Sequence, residues 1–213
     1  MMIIHLGLIY CVNKEWTKYS NKIKIFYLVK MKNVDLSKYK NHLTRKNQFK
    51  RFIWNLVWFI FARPLPRSTG NKWKLFLLRI FGAKLHPTAK VYSSVKIYMP
   101  WNLEMHEYSC LAPGVDCYNV DKIIIGSHTT VSQKSYLCTA SHDVNKSNNP
   151  LIFAPIIIED QAWIGASSFI SMGVKIGQGA VVGATSSVYK DVGSWEIVGG
   201  NPAKFIKKRV LNE

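Results

Sequence analysis

An aliphatic residue that returns every six positions constrains the fold of this chain more than any other feature. The anchors of this period are Leu85, Val91, Ile97, Met105, Leu111, Cys117, Ile125, Val131, Leu137, Ile158, Ile164, Ile170, Ile176, Val182 and Val188. A strict period of six drifts around a helix of 3.6 residues per turn, which excludes an amphipathic helix or a heptad coiled coil. Because no hexapeptide buries its apolar side alone, the repeats must stack on one another.

The anchors come in triplets, and each triplet describes one coil with three short sides. The triplets begin at residues 85, 105, 125, 158 and 176, which predicts about five coils whose neighbouring strands pair in parallel. A mostly small residue follows each anchor by four positions and is expected near a corner. Glycine follows the anchor directly at positions 126, 165, 177 and 183, where we expect it to permit the tight turn. A mainly β repeat domain is therefore predicted over residues 85–199.

The third coil is interrupted by a loop at residues 141–155. This coil is 13 residues longer than its 20-residue neighbours, and insertions at the corners of a solenoid are where function collects. The loop opens with His142, directly after the small residue of a repeat, so the end of a rigid strand can hold the imidazole. A histidine that titrates near neutral pH suits general base catalysis. The other five histidines are expected to have structural roles.

Positive charge is concentrated in the first part of the chain. Residues 1–84 hold 18 Lys and Arg against 2 acids, whereas residues 85–213 hold 11 against 10. This basic region also carries apolar clusters, which favour an anionic membrane surface over nucleic acid, since no nucleic-acid-binding fold accompanies the charge. Helices are predicted over residues 48–63 and 71–81, with Gly82 at the end of the second. Two interpretations stay open: these helices pack against the rest of the protein, or they lie at the inner membrane surface.

The ends of the chain give weaker signals. Residues 1–30 are interpreted as an N-terminal extension without an assigned role, followed by a basic helical region over residues 31–84. No apolar run is long enough to span a bilayer, and the four cysteines lack C-x-x-C spacing, which predicts a reduced, cytoplasmic chain. At the other end, Asn201 and Pro202 predict the start of a short basic C-terminal helix over residues 200–213. Lys204, Lys207 and Lys208 are expected on one face of that helix.

Three sequence strings resemble the hexapeptide-repeat acyltransferases. They are SHD at 141–143, APIIIEDQAWIGASSFISMGVKIGQGAVVGATSSVYKDV at 154–192 and GNPAK at 200–204. The resemblance covers about residues 31–210 and is greatest to the O-acetyltransferases of bacterial extracellular and capsular polysaccharide synthesis, the colanic-acid type. It implies a left-handed parallel β-helix, a homotrimer with active sites between neighbouring coils, and acetyl-CoA as the acyl donor, with no metal.

The resemblance also implies roles for single residues. His142 corresponds to the catalytic histidine, and Trp163 to a tryptophan beside the pantetheine arm. The other implied cofactor contacts are Ala166, Ala184, Tyr189, Lys190, Lys204 and Lys207. The last two are arginine in galactoside-type relatives, and lysine lacks the two-pronged grip of arginine on phosphate. Ala112 falls where sugar-specific relatives place an acceptor-binding asparagine, so Asn119 is the substitute candidate for substrate binding, together with Asp143, which is also a candidate for orienting the imidazole.

The predicted function is O-acetylation of a sugar in an extracellular or capsular polysaccharide, or of its lipid-linked precursor. His142 would act as general base in direct transfer, which we favour over an acetyl-enzyme on Cys138. Serine O-acetylation, amino-sugar N-acetylation and a non-catalytic β-helix scaffold stay open as alternatives. A metal-dependent hydratase is disfavoured because His106, His128 and His142 are out of phase with the 20-residue coil.

Overall fold

The computed structural model describes residues 33–41, 43–66 and 69–212, so the predicted extension over residues 1–30 lies outside the described residues. The chain divides into two compact units. In the smaller unit, the described residues are 33–39 and 144–149. Its short 3-10 turn, Leu36–Lys38, begins where the carboxylate of Asp35 accepts a hydrogen bond from the backbone of Ser37, and the backbone N–H of Asp35 donates to Ser147.

The larger unit, residues 40–143 and 150–213, contains the predicted repeat as a parallel β-solenoid with three sheets. Sheet A contains β1 (Lys84–Leu85), β4 (Leu103–Met105), β7 (Ile123–Ile125), β12 (Ile156–Ile158) and β15 (Lys175–Ile176). Sheet B contains β2 (Lys90–Val91), β5 (Cys110–Leu111), β8 (Thr130–Val131), β13 (Trp163–Ile164), β16 (Val181–Val182), β18 (Glu196–Gly199) and β19 (Lys204–Lys208). Sheet C contains β3 (Lys96–Ile97), β6 (Asp116–Tyr118), β9 (Tyr136–Cys138), β14 (Phe169–Ile170) and β17 (Ser187–Val188). The solenoid makes about six turns, one more than predicted, because a partial turn follows β17.

The period of six determines which side chains form the core. Every predicted anchor except Leu85 is buried, and Leu85 is partly buried at the first turn. The small residues four positions later are buried as well, apart from Ser141, which has left the solenoid. Burying one aliphatic side chain of this size stabilises the fold by about 1.5–3 kcal/mol, so the stacked anchors supply most of the hydrophobic stabilisation.

The glycines that follow anchors serve a different purpose from the one predicted. A Cβ atom at Gly165 would lie 2.5 Å from the backbone nitrogen of Ala184 in the next turn, so the close approach of backbone requires glycine. The left-handed backbone conformation occurs two residues further on, at positions such as Ser167 (φ 58°) and Thr185 (φ 60°). The prediction that these glycines permit the corner turn is therefore wrong.

Both predicted N-terminal helices are confirmed, as α1 (Arg45–Phe61) and α2 (Asn71–Ile80). They cover the edge of the first turn, where strand backbone groups would otherwise lack partners. The indole N–H of Trp54 donates to the carbonyl of Ile97 at 2.7 Å, and that of Trp58 donates to Val95 at 3.2 Å. The side chain of Asn71 donates to the carbonyl of Ala89 at 2.8 Å. The inner sides of the helices thus pack against the solenoid.

The opposite side of the two helices is apolar and exposed. We call it the exposed helical face; its members are Phe49, Phe52, Leu56, Phe59, Ile60 and Phe61 of α1 and Trp73, Phe76 and Ile80 of α2. No Asp or Glu occurs between Asp35 and Glu104, so this region carries positive charge without any acid of its own. None of the helices in the described ranges is long and apolar enough to cross a membrane.

The predicted C-terminal helix is wrong. Residues 204–208 form β19, which pairs antiparallel with β18 and extends sheet B. The ammonium of Lys208 forms an ion pair with Glu196 at 3.1 Å, and the guanidinium of Arg209 donates to the carbonyls of Gln161 (2.9 Å) and Gly179 (3.0 Å). These contacts with residues far away in the sequence outweigh the local helix-start signal at Asn201.

Candidate active site

His142 lies at the end of a strand, as predicted. The strand is β10 (Ala140–His142), which pairs antiparallel with β11 (Leu151–Phe153) so that His142 stands opposite Leu151. The backbone N–H of Asp143 donates to the carbonyl of Pro150 at 3.0 Å and continues the ladder by one residue. The imidazole is exposed at the end of this hairpin, where a rigid backbone holds it and substrates can reach it.

The hairpin is anchored where it leaves sheet C. The hydroxyl of Thr139 donates to the carbonyl of Tyr118 at 3.0 Å and accepts from the backbone N–H of Asp121 at 2.9 Å. The thiol of Cys138 donates to the carbonyl of Ala140 at 3.1 Å. Burial, with a smaller contribution from the Cys138 thiol, raises the pKa of the Tyr136 hydroxyl, which therefore stays neutral. The base of the hairpin is accordingly fixed by uncharged groups.

Five aromatic side chains, in two groups of neighbouring rings, lie on the outer face of sheet C, and we call them the aromatic stripe. Its members are Tyr98, Tyr118, Tyr136, Phe169 and Tyr189. The first two ring centres are 4.7 Å apart, and Phe169 lies 5.7 Å from each of its two neighbours, at distances typical of aromatic pairs. Sequence analysis missed the stripe, although every member directly precedes or follows an anchor. The aromatic stripe ends at Tyr189, so this residue and the exposed Lys190 that follows it lie on the sheet C side of the solenoid.

Trp163 lies on the outer face of sheet B. Its side chain is 51% exposed, and its indole N–H donates to the hydroxyl of Ser132 at 2.8 Å, which fixes the ring. Strand register places Trp163 beside Val181, Val181 beside Ile197 and Ile197 beside Lys207. Three strand spacings correspond to about 14 Å between the two ends of this row. Although the helix predicted for Lys207 is absent, the strand that replaces it brings this lysine into line with Trp163.

Ala166 and Ala184 occupy the same corner of successive turns. The carbonyl of Ala166 accepts a hydrogen bond from Thr185 at 2.8 Å, and Ala184 is exposed. The register of sheet B aligns Gly199 with Gly165 and Gly183, the residues just before the two alanines, and Lys204 pairs with Gly199 across the hairpin of β18 and β19. Lys204 therefore lies in the column next to that of the two alanines, on the side of the row that begins at Trp163.

Asn119 is not exposed to a cleft, as its predicted role in acceptor binding would require. Its side chain is fully buried, with the amide oxygen accepting from the backbone N–H of Met99 at 2.9 Å and the amide nitrogen donating to the carbonyl of Met99 at 2.6 Å. Both ends of the amide thus join two turns of the solenoid. The prediction that Asn119 binds the acceptor is wrong, because the amide faces the backbone instead of a cleft.

The remaining histidines of the solenoid make local contacts. His106 bonds to Glu104 at 3.2 Å, and the ring of His128 stacks on Tyr108 with centres 5.0 Å apart. Over the part of the chain that the structure describes, no group of three or more His, Cys, Asp or Glu side chains is placed to hold a metal ion.

One chain does not bring all of the predicted site residues to a single face. Tyr189 and Lys190 follow the last strand of sheet C, and His142 stands on the hairpin that leaves sheet C after β9, whereas Trp163 and Lys207 belong to sheet B. The corner that carries Ala166 and Ala184 lies between these two faces. A cofactor that contacts both sets must therefore reach around this corner or be shared with another subunit.

A parallel solenoid of six-residue repeats, interrupted by a hairpin that presents a histidine, defines a class of acyl-transfer proteins. Residues 155–190 match the family model described as the hexapeptide repeat of succinyl-transferase. The chain is 42% identical over 142 residues to the colanic acid biosynthesis acetyltransferase WcaF of Escherichia coli K12, an alignment that covers 67% of this chain and 78% of the relative. The chain belongs to the hexapeptide-repeat acetyltransferase family.

Solved structures with similar folds agree with this assignment. The hexapeptide-repeat-containing acetyltransferase VCA0836 of Vibrio cholerae is 25% identical with a TM-score of 0.69, over 78% of this chain and 93% of that one. A second structure of that protein, with a TM-score of 0.70, is a complex with acetyl coenzyme A. A maltose O-acetyltransferase of Clostridium difficile 630 is also 25% identical with a TM-score of 0.69, over 78% of this chain and 89% of that one.

Proposed function

We propose that this protein transfers the acetyl group of acetyl-CoA to a hydroxyl of a sugar in an extracellular or capsular polysaccharide, or in its lipid-linked precursor. The observation that carries the proposal is the exposed His142 at the end of a rigid hairpin inserted into the solenoid. The names of a relative in colanic acid biosynthesis and of a maltose O-acetyltransferase support a sugar as the acceptor. The Vibrio cholerae complex supports acetyl-CoA as the donor.

The proposed chemistry uses His142 as general base in a direct transfer. The imidazole accepts the hydroxyl proton while the sugar oxygen attacks the thioester carbonyl and forms the new C–O bond. Collapse of the tetrahedral intermediate breaks the C–S bond, and the imidazolium returns the proton to the departing sulfur, which leaves as free CoA. A positioned base of this kind contributes about 10²–10⁴ in rate. Asp143, next in the chain, is the proposed residue for orienting the imidazole or the acceptor.

The outer face of sheet B is the proposed support for CoA. Trp163 would lie along the pantetheine arm, the backbones of Ala166 and Ala184 would contact it at the corner, and Lys204 and Lys207 would face the phosphates. The row of about 14 Å from Trp163 to Lys207 suits this extended arm. Tyr189 and Lys190 would contribute from the sheet C side. A homotrimer would join the sheet B row of one subunit to the His142 hairpin of the next.

We further propose that this enzyme works in the cytoplasm at the inner face of the membrane. The exposed helical face would enter the interface, while the lysines and arginines around it contact acidic lipids. Flotation with vesicles should show binding to phosphatidylglycerol mixtures that weakens with salt, and little binding to phosphatidylcholine alone. Replacing Arg45 and Lys46 by Gln should reduce binding, whereas Lys175→Gln in the solenoid should not. Equal binding to both kinds of vesicle would contradict this proposal.

The acceptor class is tested by mass spectrometry of polysaccharide from cells with and without this protein. We expect the repeating unit to lose the mass of one acetyl group when the protein is absent. In parallel, the purified protein with acetyl-CoA should release the CoA thiol in the presence of the polysaccharide and much more slowly with serine or an amino sugar. Unchanged acetylation in the cells, or preferred transfer to serine or an amine, would overturn the sugar hydroxyl as acceptor.

A further inference from the structure

A groove of about 650 Å³ runs between α1 and the outer face of sheet C. One wall is formed by Phe52, Leu56 and Phe59 of α1, and the other includes Tyr98 and Tyr118. Volumes of this size accommodate an extended small molecule. The mechanism proposed above does not use this groove.

The α1 wall is continuous with the exposed helical face. Phe52, Leu56 and Phe59 follow one another at helical spacings of four and three residues, so they form a stripe about 10 Å long. The same three side chains are exposed to solvent. A hydrocarbon chain lying along this stripe would therefore pass directly from the groove to the surface that we propose faces the membrane.

The end of the groove nearest sheet C is polar: Lys96 and Asp116 line it as an ion pair of 3.5 Å, and Arg51 lies beside it without lining it. The guanidinium of Arg51 lies 3.9 Å above the centre of the Tyr98 ring and also donates a hydrogen bond to its hydroxyl. Among the described residues no carboxylate forms an ion pair with Arg51, so its positive charge is not neutralised by a neighbouring acid. A guanidinium without a carboxylate partner suits a phosphate group.

This polar end leads toward the candidate base. Tyr118 lines the groove and pairs in register with Cys138 on the neighbouring strand, about 4.8 Å away. His142 is four residues beyond Cys138, so its Cα lies at most about 20 Å from that of Tyr118. The aromatic stripe, beginning with Tyr98 and Tyr118, runs along the same face and offers flat surfaces for sugar rings.

We infer that the groove holds the hydrocarbon chain of an acceptor in which a sugar is joined through phosphate to a long lipid. The chain lies along Phe52, Leu56 and Phe59, the phosphate meets Arg51, and the sugar extends toward His142. Charge complementarity at Arg51 and the apolar wall at α1 both favour this occupant. The inference rests on the proposed sugar acceptor and specifies that the acceptor is lipid-linked.

Calorimetric titration with geranylgeranyl diphosphate, below its micelle-forming concentration, tests the groove. The wild-type protein should bind this probe saturably and more tightly than geranylgeraniol, which lacks phosphate. Phe52→Asn should weaken binding by about tenfold, because one wall loses an aromatic side chain. Phe49→Asn is the matched control: Phe49 is 67% exposed against 61% for Phe52 and is not part of the groove, so its change should stay within about twofold. Arg51→Gln should abolish the preference for the diphosphate.

Three results would overturn the inference. They are the absence of saturable binding, equal losses in the two phenylalanine variants, or a change of oligomeric state caused by Phe52→Asn alone, which would show that a second copy occupies the groove. Thermal melts establish that the variants are folded. Since the titration measures binding without transfer, failure of the acetyltransferase proposal and failure of the groove proposal give different results.

Discussion

The solenoid and the N-terminal helices bury their apolar side chains in different ways. In the solenoid, each hexapeptide buries its anchor, such as Ile164 or Val182, and the small residue four positions later, such as Ser168. Helix α1 is apolar on two opposite sides: Trp54 and Trp58 are buried against the first turn, while Phe49 and Phe52 are exposed. The repeat thus accounts for its own apolar residues by burying them, whereas six of the ten apolar residues of α1 are exposed.

This difference indicates that the two sides of α1 have different roles, one in the stability of the fold and the other in binding. A helix that is apolar all round is normally buried, and large exposed apolar patches mark interaction sites. The inner side of α1 completes the edge of the first turn and so contributes to stability. The outer side contributes little to the isolated chain, which is why we assign it to a membrane and a lipid-linked acceptor.

The largest expected effect separates the two sides of α1. Trp54 is 1% exposed, packs its ring 5.1 Å from that of Trp58 and donates to Ile97, so Trp54→Ala should lower the free energy of unfolding by about 3–5 kcal/mol. Phe49→Ala on the exposed side should change it by less than about 0.5 kcal/mol. Urea denaturation measures both values. Similar losses of unfolding free energy for the two variants would show that the two sides of α1 contribute equally to stability, which contradicts this account.

A smaller effect is expected from the close contacts between turns of the solenoid. Gly165→Ala places a Cβ atom 2.5 Å from the backbone nitrogen of Ala184, and the strain should cost about 1–3 kcal/mol. Gly183→Ala is the matched control, since its Cβ atom would lie 3.3 Å from the nearest atom, the carbonyl oxygen of Val198. Thermal melts should rank Gly165→Ala well below Gly183→Ala. The reverse order would mean that close backbone contact between successive turns is not the reason for glycine at these positions.

The smallest effect, and one that depends on pH, concerns a buried charge in α2. Lys74 is 1% exposed with its ammonium 3.5 Å from the hydroxyl of Ser93, and burial, followed by repulsion from Lys90, lowers its pKa below 10.5. Near pH 7, Lys74→Met should raise the free energy of unfolding by about 1 kcal/mol, because a charge no longer has to be buried.

The pH dependence of this gain follows from the lowered pKa. As pH rises toward 10.5, the unfolded wild-type chain binds more protons than the folded one, so wild-type stability increases and the advantage of Lys74→Met shrinks. Urea denaturation at several pH values measures the difference. Lys72→Met, on the exposed side of the same helix, is the control and should stay within about 0.5 kcal/mol of wild type. A gain in the free energy of unfolding that is constant at all pH values would show that the buried charge of Lys74 is not its cause.

The residues predicted well from the sequence are those whose environment repeats. The anchors and the two helices followed from periodicity, and the position of His142 at the end of a strand followed from an interruption of it. The C-terminal strand β19 was missed because the contacts that hold this end of the chain, from Lys208 to Glu196 and from Arg209 to Gln161, join residues that are distant in the sequence and cannot be inferred from local helix signals. The role of Asn119 was missed for a related reason, since its amide binds Met99 on the preceding turn.

The central claim is tested most directly by measuring acetyl transfer from acetyl-CoA to the polysaccharide acceptor for His142→Ala, with Cys138→Ala as the control. We expect kcat/KM to fall by about 10²–10⁴ for His142→Ala while the oligomeric state and melting temperature stay unchanged, and to remain close to wild type for Cys138→Ala. Nearly wild-type transfer by His142→Ala would contradict the account, as would loss of transfer in Cys138→Ala together with an acetyl group covalently bound to the wild-type protein.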